Sequence, residues 1–291
     1  MNFRDYYKNR KTPVISFEIF PPKSAVGIEN LKETLGELSN LSPDFITVTY
    51  GAMGSTREKT IEIASYVKNR LKLNTACHLT CVGSSKKDIK EIVCNILNEG
   101  ITNIVALRGD PPNGNKEFIP HQNGPAYANE LVSQIRSIEK ELNKPLGIAI
   151  AGYPEKHIEA RSFDEDIKNL KKKVDAGADI IITQLFFDNK YYFAYVKKVR
   201  AAGIDIPVIP GLMPILSARQ IKKISSMCGS KIPEHLINQL NNAGDNNDGA
   251  EEIGIAQCIA QARELIDNGV PGIHFYVLNR ALHIKRILQS L

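Results

Sequence analysis

Residues 163–186 read FDEDIKNLKKKVDAGADIIITQLF. In the first half, Ile167, Leu170 and Val174 recur at helical spacing and make one apolar stripe, with Asp166, Lys172 and Lys173 off it. Gly177 follows and permits the left-handed turn that ends a helix. In the second half, residues 178–186 run almost unbroken through apolar and β-branched side chains, the pattern of a parallel strand covered on both faces. Helix, glycine turn and buried strand together are one unit of an α/β fold.

The unit recurs outward in both directions. Glu99-Gly100-Ile101 and Ala202-Gly203-Ile204 repeat the glycine turn, and strands are predicted at 13–20, 44–50, 74–82, 101–107, 145–152, 178–186, 206–212 and 271–278. Helices are predicted over 27–40, with Ile28, Leu31, Leu35 and Leu38 on one stripe, and over 279–290. Eight β–α pairs in 291 residues indicate a single-domain (β/α)8 TIM barrel over 1–291. An open doubly wound sheet is the alternative, but no G-x-G-x-x-G or P-loop motif supports its usual nucleotide site. Two segments are extra to a plain barrel. Residues 109–124 (GDPPNGNKEFIPHQNG) form a long loop after the fourth strand, and residues 229–250 an added helix and turn between the seventh and eighth.

Composition sets further bounds. Hydrophobic residues are 43% and charged residues 24%, ordinary for a soluble globular chain and unlike a disordered one. No run approaches the roughly 20 apolar residues of a spanning helix, and the first residues lack the apolar core of a signal peptide. A cytoplasmic location is expected, with no membrane partner. The net charge of +5 is spread over helix faces such as Lys171-Lys172-Lys173, which reads as solvated surface rather than a nucleic-acid footprint. Five cysteines, an odd number with no C-x-x-C, suit reduced thiols. Cys77 and Cys81 flank His78 but lie in a strand without metal-ligand spacing, so no metal is expected.

A barrel places its chemistry at the C-terminal strand ends. There stand Glu18, Thr49-Tyr50, His78 and Thr80, Arg108-Gly109-Asp110, Tyr153 with His157, Thr183-Gln184, Pro210-Gly211 and Asn279-Arg280. Each has a bland alternative: Glu18 as a structural partner of Arg280 or Arg108, the Arg108–Asp110 segment as a plain turn, His78 as a satisfied interior imidazole, Gln184 as a paired buried amide. A carboxyl buried among apolar strands is expected to have a raised pKa, which suits general-acid work. No H-x-H, strand lysine or G-x-S-x-G points to a metal hydrolase, a Schiff-base aldolase or a serine hydrolase. The residues alone give a ligand-binding barrel enzyme with Glu18 as its acid and no redox centre of its own.

The stretches SFEIFPP (16–22), VTYGA (48–52), HLTC (78–81), ALRGD (106–110), YPEKH (153–157), KVDAGA (173–178), TQLFFD (183–188) and FYVLNR (275–280) resemble the methylenetetrahydrofolate reductase family, in family order over nearly the whole chain. The chain looks like the short bacterial or archaeal type, without the C-terminal regulatory domain of eukaryotic members. The resemblance implies reduction of 5,10-methylenetetrahydrofolate to 5-methyltetrahydrofolate through bound FAD, in one-carbon and methionine metabolism, with NADH or NADPH as electron donor. It implies that Glu18 is the acid that opens the folate ring, that Asp110 favours the resulting cation, and that Gln184 and Arg280 contact substrate. It implies that Thr49, His78, Arg108, Gly109, Asp110, Tyr127, Ala128, Tyr153, His157, Asp166, Asn169, Lys172 and Lys173 hold FAD. Members commonly form homo-oligomers. Ala218 stands where many carry an aromatic that stacks on substrate, which leaves open a partner iron–sulfur protein as electron source. A barrel that binds ligand without catalysis is the more remote alternative.

Overall fold

The computed structural model describes residues 1–50, 57–110, 118–243 and 247–291. Its strands are β1 (Val14–Ile19), β2 (Phe45–Val48), β3 (Thr75–Thr80), β4 (Asn103–Leu107), β5 (Gly147–Gly152), β6 (Ile180–Thr183), β7 (Val208–Ile209), β8 (Gly211–Leu212) and β9 (Gly272–Tyr276). All pair in parallel, in the order β7-β6-β5-β4-β3-β2-β1-β9-β8. The predicted seventh strand is divided in two at Pro210, whose nitrogen carries no hydrogen to give to a ladder. Its first half pairs with β6 and its second with β9, and Pro210 O accepts from His274 N at 2.9 Å, so the sheet closes on itself. This is the (β/α)8 barrel, and the predicted eighth strand is β9.

The helices are α1 (Phe3–Tyr6), α2 (Ala25–Ser39), α3 (Arg57–Ser65) continued by a π-helical turn (Tyr66–Arg70), α4 (Lys86–Asn98), α5 (Ala128–Leu142), α6 (Phe163–Asp175), α7 (Asn189–Ala201), α8 (Ala218–Cys228), α9 (Glu234–Asn242), α10 (Asn247–Asp267) and α11 (Ala281–Leu288). Local sequence sets their ends. Ser85 and Asp88 cap α4 reciprocally, and Ser162 Oγ accepts from Glu165 N at the start of α6. The predicted glycine turns hold: Gly100, Gly177 and Gly203 all take positive φ. The added helix between the last two predicted strands is α9. Residues 244–246 of the predicted turn, and 111–117 of the predicted long loop, lie outside the described residues. The rest of that loop is anchored to α4 through Lys86 N and Asn123 O at 2.8 Å.

Two apolar layers follow from strand alternation. Outward-facing Phe17, Ile46, Val48 and Leu79 pack against Leu31, Leu35 and Leu38 of α2 and Ile89 and Val93 of α4. Inward-facing Val14, Phe45, Ala76, Val105, Ala149, Ile180 and Ile209 fill the lower lumen. Each buried Val, Leu, Ile or Phe among them stabilises by about 1.5–3 kcal/mol. The helix α1, which the sequence patterning did not reveal, plugs the lumen from below. Phe3 and Tyr6 meet Phe45 at ring distances of 5.2 and 5.1 Å, and Asn103 Oδ1 accepts from Phe3 N at 2.8 Å. Buried Asp179 holds the same end together. It accepts from Arg136 Nη2 and Ile148 N at 2.7 Å each and pairs with Arg4 of the plug.

One helical expectation fails. Asp166 is buried on α6, and Lys173 is turned inward, so neither belongs to a solvated face. Asp166 accepts from His157 N at 3.3 Å, and Lys173 Nζ donates to Ala151 O at 2.6 Å. The polar ends of β5 and its loop give these two side chains partners that a helical wheel cannot show.

Candidate active site

Above the apolar plug the lumen turns polar. On β1, alternation carries the inward face from Val14 through Ser16 to Glu18. The carboxylate of Glu18 is surrounded by neighbours from three other strands. Its Oε2 lies 3.2 Å from His78 Nε2 on β3 and 3.3 Å from His274 Nε2 on β9, and accepts from Thr47 Oγ1 on β2 at 3.4 Å. His274 is fully buried, with Nδ1 2.8 Å from Ser16 Oγ.

This overturns the expected raised pKa, and neither arginine of the structural alternative, Arg280 or Arg108, is the partner. Burial does push the Glu18 carboxyl up, but the charge of His78 and the hydrogen bond to His274 outweigh it and hold the group at about 2. Glu18 therefore rests ionised, and the nearest proton carriers are imidazoles. Arg108 instead forms a bidentate pair with Glu159 (Nη2 to Oε1, 2.8 Å) and stacks on Phe118 at 4.9 Å. Arg280 is exposed at the start of α11.

Glu18 opens onto a cavity of about 430 Å³ at the C-terminal mouth of the barrel. Of the predicted residues, it brings together Glu18, His78, Arg108, Gly109, Asp110, Tyr153, His157 and Gln184. Val105, Leu107, Ile150 and Ile182 give it an apolar wall. Tyr153 and His157 meet edge to face at 4.6 Å, and burial pushes the His157 imidazole down. Gln184 is fixed at its backbone by Gly152 O (2.8 Å), while its Oε1 accepts from Leu185 N at 2.9 Å. Burial lowers the Lys173 ammonium to about 8, with Asp166 opposing the shift, and its Nζ sits 5.7 Å from the Tyr153 ring behind the wall.

Thr49, Tyr127, Ala128, Asp166, Asn169, Lys172, Lys173 and Arg280 do not line this cavity. Asn169 and Lys172 are exposed on α6, and Tyr127 is the exposed N-cap of α5. Ala218 begins α8 and packs with a side cluster that includes Met213 and Ile221. From that part of the chain the cavity receives Met213 and Ile224 instead of an aromatic.

Sequence reasoning missed His274, Tyr276, Phe20 and Leu278. The signal for the first two was present: in GIHFY, residues 274 and 276 share a face, and β9 pairs Glu18 with Tyr276. Tyr276 donates to Thr183 O at 2.7 Å, tying β9 to β6 across the mouth.

The residues fit a flat organic cofactor. Gly109 has φ +87, and a Cβ there would meet Val82 Cγ1 at 2.7 Å and Thr80 Cβ at 2.9 Å, so only glycine leaves this turn open beside the cavity. Buried Thr80 Oγ1 has no hydrogen-bond partner among the described residues. An apolar wall, a bare backbone turn and an unspent hydroxyl suit a ring system with polar edges.

Fold and site define a (β/α)8-barrel protein with a cavity over its strand ends, apolar on one wall and polar at Glu18, His78, Asp110 and Gln184. The sequence profile for methylenetetrahydrofolate reductase matches residues 3–291. The 5,10-methylenetetrahydrofolate reductase of Escherichia coli is 37% identical over 267 residues, covering 92% of this chain and 86% of that one. The chain belongs to the methylenetetrahydrofolate reductase family. Methylenetetrahydrofolate reductase (NADH) 1 of Arabidopsis thaliana is 40% identical over 285 residues, covering 95% of this chain and 48% of the plant protein, so the chain spans about half the length of that relative. Among solved structures, a Clostridium thermocellum protein that binds two copies of 5-methyl-5,6,7,8-tetrahydrofolic acid superposes with a TM-score of 0.64 at 16% identity, covering 99% of this chain and 96% of that one, a likeness of fold. Among the described residues no helix is long and apolar enough to cross a membrane.

Proposed function

We propose that this chain is a flavin-dependent reductase that converts 5,10-methylenetetrahydrofolate to 5-methyltetrahydrofolate. The observation that carries the reading, beside family membership, is Glu18 flanked by two imidazoles at a cavity that Asp110 and Gln184 also line. FAD, when bound, supplies the hydride chemistry that the side chains lack. Arg108, Gly109, Tyr153 and His157 are the cavity residues that would hold it. Asp166, Lys173, Thr49, Tyr127, Ala128, Asn169 and Lys172 would serve from behind the wall or from the rim.

The proton chemistry follows from the Glu18 cluster. The carboxylate orients two imidazoles; an imidazolium N–H gives up its proton through Glu18 to the substrate nitrogen as that nitrogen's C–N bond in the folate ring breaks, which leaves the imidazole neutral and the carbon cationic. Asp110 carries a negative charge at the mouth and favours the resulting cation. Gln184 offers an amide to the pterin, and Arg280 is a rim cation for the acidic tail of the folate. Glu18→Gln should lower folate reduction by at least about a hundredfold while leaving flavin reduction by the donor within a few-fold. Full folate activity in that variant would remove Glu18 from the mechanism.

NADH is the favoured donor, in keeping with the names of the plant relatives. A partner iron–sulfur protein is the second reading, motivated by the absence of an aromatic from the Met213–Ile224 side of the cavity. An anaerobic absorbance spectrum before and after NADH separates the two. A flavin band that bleaches supports the nicotinamide route; one that stays oxidised points to the partner. Protein that neither carries nor takes up flavin would overturn the reductase reading and favour a non-catalytic barrel. A homo-oligomer and a cytoplasmic location complete the proposal.

A further inference from the structure

We infer that Asn279 is a positioning residue that fixes the folate-binding mouth by locking the β1–α2 loop to the β9–α11 loop, an inference that rests on the function proposed above. The backbone ladder between β1 and β9 ends at Glu18 and Tyr276, followed by one last bond from Val277 N to Glu18 O at 3.2 Å. Beyond it, the side chain of Asn279 takes over. Phe20 N donates to Asn279 Oδ1 at 3.1 Å, and Asn279 Nδ2 donates to Phe20 O at 2.8 Å. A primary amide has the donor and acceptor of a peptide unit, so Asn279 adds one more rung where the backbone turns away.

That turn is strained. Leu278 and Asn279 have φ of 51° and 54°, a left-handed pair in which asparagine is at ease and leucine is not. Such conformations persist where the surroundings over-determine them, and they gather at ligand sites. Phe20 and Leu278, the two residues this arrangement fixes, both line the cavity, whereas Asn279 does not. Phe20 is 45% exposed and is the lining aromatic most open to solvent. The clamp thus holds an open aromatic face and an aliphatic side chain, both suited to a flat conjugated substrate ring, two residues from the acid.

Releasing the clamp lets the two loops sample other conformations. Apparent affinity then falls in proportion to the fraction that remains competent. Asn279→Gly is the informative variant, because glycine accepts the left-handed backbone and removes only the amide. It should raise KM for methylenetetrahydrofolate by about tenfold, change kcat by less than about threefold, and keep its flavin and its melting temperature. Asn279→Asp retains the acceptor but not the donor and should fall between the two. Asn279→Ala adds backbone strain and should also melt lower. An Asn279→Gly enzyme with wild-type KM, or one whose loss lies in kcat alone, overturns the clamp. A wild-type protein inactive on methylenetetrahydrofolate overturns the functional reading and this inference with it.

Discussion

Glu18 is subject to two opposing forces, and their balance defines the acid cluster. Low dielectric favours the neutral carboxyl, while His78 and His274 favour the charged one and prevail. The sign of the pH dependence follows. A carboxyl held at about 2, below its ordinary 4.5, contributes stability above the ordinary value and loses it as pH falls toward the native one. In His274→Ala one lowering partner is gone and burial remains, so the native pKa rises. The acid-unfolding midpoint should move up by about one pH unit, as followed by circular dichroism between pH 2 and 5, and Glu18→Gln should abolish the difference between the two backgrounds. Glu18 itself was legible as the lone charge in SFEIF. Its partners were not, because His274 is 256 residues away and nothing local announces the contact. Asp166 and Lys173 were legible as residues but misplaced, since their partners come from β5 and the following loop.

At the scale of elements, the repeated helix–glycine–strand unit made the barrel readable. Period and turn chemistry are local properties, and a parallel sheet needs little else. Elements that depend on their neighbours were harder. The seventh strand reads as one apolar run, yet closure requires its halves to serve different partners. Gly211 marks the constraint. A Cβ there would lie 2.3 Å from Thr183 O and 2.7 Å from the Tyr276 ring. Gly211→Ala must push β8 away from β6 or displace Tyr276, at a cost of about 3 kcal/mol. Urea unfolding should show the loss, with the larger part of any activity change traced to Tyr276.

For the whole molecule, the floor and the mouth of the barrel are separate tasks. The plug of Phe3 and Tyr6 and the Asp179–Arg136–Arg4 cluster close one end; the strand ends and loops form the cavity at the other. Removing one member of a buried pair strands its partner. Asp179→Ala should therefore cost about 3–5 kcal/mol by urea unfolding while leaving KM of the folded protein unchanged. The plug escaped sequence reading because four residues are too few to show a period, and their burial depends wholly on a lumen that only the closed barrel creates.

The division at Pro210 has a mechanical consequence. A barrel whose staves are continuous opens only by unfolding, whereas this one has a seam: two short staves meeting end to end at a residue that cannot donate to either neighbour. Amide hydrogen exchange at Gly211 and Leu212 should outpace that of β1–β5. Breathing along the seam would widen the mouth beside Met213 and would also reach the Glu18 cluster, because His274 pairs with Gly211 and its N–H bonds Pro210 O. The joint that completes the barrel is thus also where it should open first.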